Sequence, residues 1–150
     1  MIERILVPTD GSELSEQAAD YAIRLAGEVK ASVDFISVVD VLMPTYAFES
    51  DVSFNPEIPE ITEQLTAVAG SFVDKLKAKA EAAGIEAAAG VVSGNPWEEI
   101  LSEADRRQSD LIVMGSHGHR ALAAAVMGSV AINVIHGAKI PVTVIPVPGK

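Results

Sequence analysis

Five short apolar runs, each separated from the next by a stretch with helical spacing, set the main limit on how this chain folds. Arg4-Ile5-Leu6-Val7, Ser32 to Val39, Ile85 to Val92, Asp110-Leu111-Ile112-Val113-Met114 and Pro141 to Val147 read as strands. Between them, Leu14, Ala18, Tyr21, Ala22 and Leu25 recur at three and four residues, the mark of an amphipathic helix running to about Val29. Ile61, Leu65, Val68, Phe72, Leu76 and Ala80 trace a second helical stripe, ending before Gly84. Ser93-Gly94-Asn95-Pro96 opens a third, with its apolar face on Trp97, Ile100, Leu101 and Ala104. Ser129 to His136 forms a short fourth, with Gly137 as its stop signal.

Strands alternating with helices predict a parallel sheet with helices on both faces, and right-handed crossovers leave few topologies. The expected fold is α/β: a three-layer open sandwich with a five-stranded parallel sheet in the order 3-2-1-4-5. That order reverses between the first and fourth strands, and open α/β sheets bind ligands outside the carboxyl ends of the strands at such a point. The two loops meeting there run from Pro8 to Ser12 and from Gly115 to Ser129.

Composition narrows the function classes. With 150 residues, no internal repeat and no break in composition, one domain over 1–150 is expected. The absence of cysteine removes disulfides, thiolate metal sites and Cys nucleophiles, and fits a reducing compartment. A net charge of −10, with the 11 Lys and Arg scattered along the chain, argues against nucleic acid and anionic membranes as partners. The opening residues are too short in apolar length for a signal peptide. The longest apolar region, Ala121 to Ile135, is broken by Gly128, Ser129 and Asn133 and falls short of the ~20 residues of a spanning helix. A soluble, cytoplasmic protein is expected. Asp40 to Pro59, with three prolines, reads as a long loop or partly helical insert, a kind of segment that is often functional.

Chemistry concentrates in the glycine loop, Gly115-Ser116-His117-Gly118, nine residues, then Gly128-Ser129. Glycine lets the backbone approach a ligand closely. Gly128 stands at a helix start, where free N–H groups and the dipole favour a phosphate. The loop is not a Walker A sequence, and it is in the wrong place for a dinucleotide fingerprint. From the residues alone two readings stay open: an anion site, or glycines that turn the chain and permit close packing. Asp10 carries a similar pair of readings, a ligand contact or a plain helix cap, a role also open to Thr9 and Ser12.

Gly-x2-Gly-x9-Gly-Ser, unbroken here as Gly115, Gly118, Gly128 and Ser129, resembles the nucleotide motif of the universal stress protein family in its ATP-binding branch. Ile5-Leu6-Val7-Pro8-Thr9-Asp10-Gly11-Ser12, Gly94-Asn95-Pro96, Asp110 to Gly118 and Pro141 to Ile145 are similar to further family segments, so the likeness spans nearly the whole chain. Asp40 to Pro59 falls outside it.

The resemblance implies a small dimeric ATP-binding regulator of stress response, and it places roles on residues. Pro8, Thr9 and Asp10 would line the ribose and adenine end, with the Asp10 carboxylate on ribose hydroxyls. Val38 would meet the adenine edge through its backbone, with Met114 nearby. Gly115 and Gly118 would run beside ribose and phosphates, and Gly128, Ser129 and the Val130 amide would grip the phosphates. Arg120, the cation inside the motif, is a candidate phosphate contact. The nucleotide, ATP or else ADP or AMP, would bring Mg²⁺ or Mn²⁺ with it, near Ser129 and with no side-chain cage. The last strand, Val142 to Ile145, would pair across a two-fold axis to make a homodimer.

Two other functions follow from different features. A slow ATPase or phosphotransferase would need a base to activate water, and the motif offers none; no catalytic residue is assigned. A nucleotide-free dimeric scaffold would match family members with a degraded motif, unlike this one. His117 and His119 are expected as exposed loop residues rather than a metal pair. Trp97 is expected to pack in the core, Glu98 and Glu99 to complement a helix dipole, and His136 to do so at a C-terminus when charged.

Overall fold

The computed structural model describes residues 1–40, 58–117 and 127–148. The elements run β1 (Arg4–Pro8), α1 (Glu13–Val29), β2 (Ser32–Val39), α2 (Ile58–Ala82), β3 (Ala87–Ser93), α3 (Pro96–Arg107), β4 (Leu111–Gly115), α4 (Ser129–Gly137) and β5 (Val142–Ile145). All five strands lie parallel in one sheet ordered β3-β2-β1-β4-β5, as the alternation predicts. β1 is the pivot, with Ile5 opposite Val33 on one side and Leu111 on the other.

Alternation along each strand divides the core in two. Ile5, Val7, Val33, Phe35, Leu111 and Val113 point to the face covered by α1 and α2. Leu6, Ile36, Ile112 and Met114 point to the opposite face, against Ile100 and Ala104 of α3 and Ala131 and Val134 of α4. α1 meets the sheet through Ala18, Ala19, Ala22 and Ala26, all fully buried. Their small side chains let the helix backbone lie close to the strands. Trp97 is half-buried against the second core, as expected.

Several element ends differ from the sequence reading, each for a local reason. α2 starts at Ile58, inside the stretch read as an insert, with Pro59 in its first turn where a missing N–H costs nothing. Residues 41–57 of that insert lie outside the described residues. β3 begins two residues later than Ile85, because the Ile85 N–H donates to Ala80 O and closes α2, with Gly84 at φ +79. α1 and α3 close in the same way on residues that are not glycine, Lys30 at φ 62 and Gln108 at φ 54, which no sequence signal marked. Gly137 is not a stop signal. It is the last residue of α4, the cap is Ala138 in extended conformation, and a Cβ on Gly137 would stand 2.6 Å from Leu101 Cδ1. Its role is close approach of α4 to α3.

The α3 face also holds a buried ionic group near the amino-terminal end of the sheet. Glu103, on α3, accepts from Arg106 at 2.7 and 2.8 Å and from Arg107 Nε at 2.7 Å. Arg107 lies 3.7 Å from Asp34 on β2, and Arg4 on β1 lies 3.9 Å from the same carboxylate. Arg4 also donates to Arg107 O at 2.7 Å. Gly90 on β3 leaves room for the Arg107 guanidinium, since a Cβ there would stand 2.8 Å from it. At the same end, Asp110 accepts the N–H groups of Glu3 and Arg4 at 2.9 and 3.0 Å, fastening the start of β4 to the start of β1. Those two backbone donors hold the Asp110 carboxyl below its ordinary range.

The Arg106 hydrogen bond, aided by Arg107 and opposed by burial, lowers the Glu103 pKa from 4.5 to about 2. A depressed folded-state pKa contributes stability above the unfolded value that is lost as pH falls through the folded one. Between pH 4.5 and 3 this group should account for about 2 kcal/mol of lost stability. Urea unfolding across that range is expected to show a shallower pH slope for Glu103→Gln than for wild type. Parallel slopes would rule the assignment out.

Candidate functional site

The carboxyl ends of β1 and β4, adjacent at the point of topological reversal, receive the two loops singled out in the sequence. The first is a small network of hydroxyl groups. Thr9 N–H extends the ladder past Pro8 by donating to Ile36 O at 2.8 Å. Ser12 caps α1, accepting from Ser15 N–H at 3.2 Å, and Ser15 Oγ donates to Ser12 O at 2.8 Å. With its proton so used, Ser15 accepts from the Thr9 hydroxyl at 2.9 Å, and Thr9 in turn accepts from Gly11 N–H at 3.2 Å. Of the three residues suited to capping, Ser12 is the cap. Asp10 instead accepts the Ser12 N–H at 2.9 Å, which holds its half-buried carboxylate at the mouth of the turn.

Gly11 lies at φ +80, and a Cβ on it would fall 2.3 Å from the Phe72 ring of α2. Both facts require glycine there. The turn is thus pressed from above by α2 while its hydroxyl groups hold it from within.

The second loop is anchored by Ser116, just past the end of β4 and 6% exposed. Its N–H donates to Ile145 O at 2.9 Å and its carbonyl accepts from Gly128 N–H at 2.8 Å. One residue therefore joins β4, β5 and the start of α4. Gly128 is tightly placed: a Cβ there would stand 3.0 Å from Ser116 O, so a side chain would have to push that carbonyl back by a few tenths of an ångström. Gly115 is similarly tight, 3.0 Å from Leu14 Cγ of α1.

α4 consequently begins at the mouth of the sheet. Its N-cap is Gly128, no side chain among the described residues caps it, and its first turn holds no acid. α1 carries Glu13 and Glu16 in its first turn and α3 carries Glu98 and Glu99, the latter as expected. The first N–H groups of α4, on Ser129 and Val130, have no partner within the helix. The helix dipole and donors without an intrahelical partner make this end locally electropositive in a chain of net charge −10.

Pro8 to Asp10, Gly115, Gly128, Ser129 and Val130 converge at this end of the sheet. Val38 stands near the end of β2, one strand beyond β1, half-buried on the same face as Met114. The Met114 side chain is 5% exposed and belongs to the core below the mouth. Gly118, Arg120 and His119 lie outside the described residues.

His117 is a correction to the sequence reading. It is half-buried rather than an exposed loop residue, with Nδ1 3.0 Å from Ser116 Oγ and a buried Nε2 that has no hydrogen-bond partner among the described residues. Its neighbour Ser116 holds it at the root of the loop, a tertiary effect that spacing does not report. Asn95, read in the sequence only as part of the turn that opens α3, stands out in the structure for a different reason. It is the N-cap position of α3 but makes no cap bond, and its Oδ1 is buried without a partner beside the end of β2, where Gly94 N–H meets Val39 O at 3.0 Å. An Asn directly before a helix-starting Pro was the available signal. Among the described residues, no group of three or more His, Asp or Glu stands together as a metal site. No helix among them is long and apolar enough to cross a membrane.

Comparison with known proteins gives the same geometry a lineage. The Universal stress protein family profile matches residues 1–146. The universal stress protein MJ0531 of Methanocaldococcus jannaschii is 37% identical over 150 residues, covering 100% of this chain and 85% of its own. The solved structure of MJ0577, from the same organism, superposes with a TM-score of 0.86 at 30% identity, covering 100% of this chain and 99% of its own. A universal stress protein solved in complex with cAMP shares the fold at a TM-score of 0.66 and 24% identity, covering 97% of each chain. This chain belongs to the universal stress protein family.

Proposed function

We propose that this chain binds ATP at the carboxyl end of its sheet and serves as a small dimeric, nucleotide-dependent regulator of stress response, acting in the cytoplasm as one unit over residues 1–150. The observation that carries the reading is the uncapped, acid-free start of α4, held at the point of strand reversal by Ser116. A phosphate chain suits it: backbone N–H donors, a favourable helix dipole and glycines that leave space for close approach. The buried, unpartnered Nε2 of His117 beside it is the kind of unmet group that a bound ligand satisfies. The cAMP complex of a fold relative adds support for an adenine nucleotide.

In this reading Gly128, Ser129 and Val130 hold the phosphates, and the Ser129 hydroxyl faces the Mg²⁺ or Mn²⁺ that arrives with them. Gly115 and Gly118 flank the ribose and phosphates, and Arg120 adds a cationic contact. Asp10 takes the ribose hydroxyls, placed by its bond to Ser12 and by Pro8 and Thr9. Val38 meets the adenine edge through its backbone, with Met114 forming the floor. ADP and AMP use the same groups with fewer phosphate contacts. The glycine motif itself includes no residue assigned as a base to activate water, so a regulator is favoured over an ATPase or phosphotransferase. The dimer joins β5 to β5: this strand pairs only with β4 among the described strands, and α4 leads into it exposing Ile132 and Ile135.

Calorimetric titration of stripped wild type with ATP and Mg²⁺ is expected to show binding that Gly128→Val weakens ten- to a hundredfold, roughly the value of one charge-assisted hydrogen bond. Asp10→Ala, which leaves the helix start intact, should weaken ATP and adenosine alike. No binding by wild type at millimolar ATP would overturn the reading in favour of a nucleotide-free scaffold. Sedimentation equilibrium at micromolar concentration should give twice the 15.7 kDa chain mass, and a monomer would refute the dimer.

A further inference from the structure

α2 is held to the rest of the molecule mainly through its later turns. Ala69, Val73, Leu76 and Ala80 recur at three and four residues and are buried, the last three in the core shared with α1. None of residues 61–68 is buried, and Leu65 and Val68 are well exposed. Lys75 pairs with Glu16 of α1 at 2.9 Å and Lys79 pairs with Asp20, both in exposed positions where an ion pair adds little. Phe72 stands one residue off the buried stripe and is half-buried. The tip of its ring, Cζ and both Cε atoms, occupies the place where Gly11 would carry a Cβ.

Gly11 is the middle residue of the turn that aims Asp10. At φ +80 it lets the chain fold back so that the Ser12 N–H donates to Asp10 Oδ1 at 2.9 Å. Glycine takes either sign of φ readily. The residue that makes this turn possible therefore also leaves it free to open, and a contact from outside the turn is needed to select one conformation. The hydroxyl groups of Thr9, Ser12 and Ser15 hold the flanks. The ring of Phe72 closes the space over the glycine itself.

We propose that Phe72 is a positioning residue for the ribose end of the site: its ring keeps Gly11 in the left-handed conformation that aims the Asp10 carboxylate, and it thereby couples ribose affinity to the placement of α2. The proposal rests on the ATP reading, in which Asp10 takes the ribose hydroxyls. The start of α4, assigned to the phosphates, is held separately through Ser116, so the ring acts on one end of the ligand. Its reach matters as much as its apolar character. Leucine has no atom beyond Cδ and leaves the place of the ring tip empty.

Phe72→Leu in the full chain tests this. Solvent exchange at the Ser12 amide, followed by NMR without ligand, is expected to speed up roughly fivefold, and calorimetry to show ATP with Mg²⁺ bound roughly fivefold more weakly, the worth of one hydrogen bond. Val73→Ala, which removes core contacts at the next position of the same helix, should change neither. In an Asp10→Ala background Phe72→Leu should cost no further affinity, because the ring acts through that carboxylate. Unchanged Ser12 exchange in Phe72→Leu would overturn the hold on the turn, and unchanged ATP affinity the ribose role. Equal losses in Phe72→Leu and Val73→Ala would reduce Phe72 to a packing residue, and a further loss in the double variant would overturn the route through Asp10. Wild type that binds no ATP would overturn the nucleotide reading and the ribose role together. The ligand-free exchange at Ser12 distinguishes that failure from a failure of the contact.

Discussion

Two hydrogen bonds on the backbone of Ser116 fix the carboxyl end of the sheet, one to the end of β5 and one from the start of α4. Each contributes about 1 kcal/mol to stability in the usual accounting, yet their geometric effect is larger than that figure conveys. They bring the first turn of a nine-residue helix to the point where strand order reverses. A Cβ on Gly128 would fall 3.0 Å from the Ser116 carbonyl. The tight glycine and the clamped serine are therefore one device, and the position of α4 follows from it.

The two faces of the sheet are built on different physical terms. Under α1, alanines and a run of Ile, Val and Phe give close packing, with dispersion and loss of apolar surface to water as the main contributions. Under α3, Asp34 and Glu103 are buried, paired with the partly buried Arg107 and joined by Arg4 and Arg106. A buried ionic group of this kind adds little net stability over an apolar equivalent, but removing one member leaves a charge without its partner. α3 is thereby tied to β1 and β2 by directional contacts. Its register against the sheet is specified by side-chain chemistry as well as by shape.

Much of this was legible in the amino-acid order. Strand order came from alternation and crossover rules, and the location of the candidate site from the strand order. The glycines at 115 and 128 stood out as members of a glycine-punctuated loop after the fourth strand and of the family motif it resembles. What escaped notice depends on contacts between distant residues. Nothing around Lys30 or Gln108 announces a left-handed helix end, because the cost of that conformation is met by bonds to the helix behind it. Gly137 looked like a stop signal, and only the position of Leu101 shows that it is a packing glycine. His117 looked like a loop residue, since the burial of its Nε2 arises from the way Ser116 roots the loop.

The start of α4 offers its surroundings main-chain N–H groups rather than side chains. Every amino acid except proline supplies the same amide, so exchanging Ser129 or Val130 for alanine leaves those donors in place. An alanine scan of this helix would pass over them. The sensitive positions are those that set where the amides point, Gly128 above all, and there the change that matters is an added methyl group. Drift in sequence around such a feature can therefore be wide while its chemistry stays constant, and the glycine pattern is the part that records it.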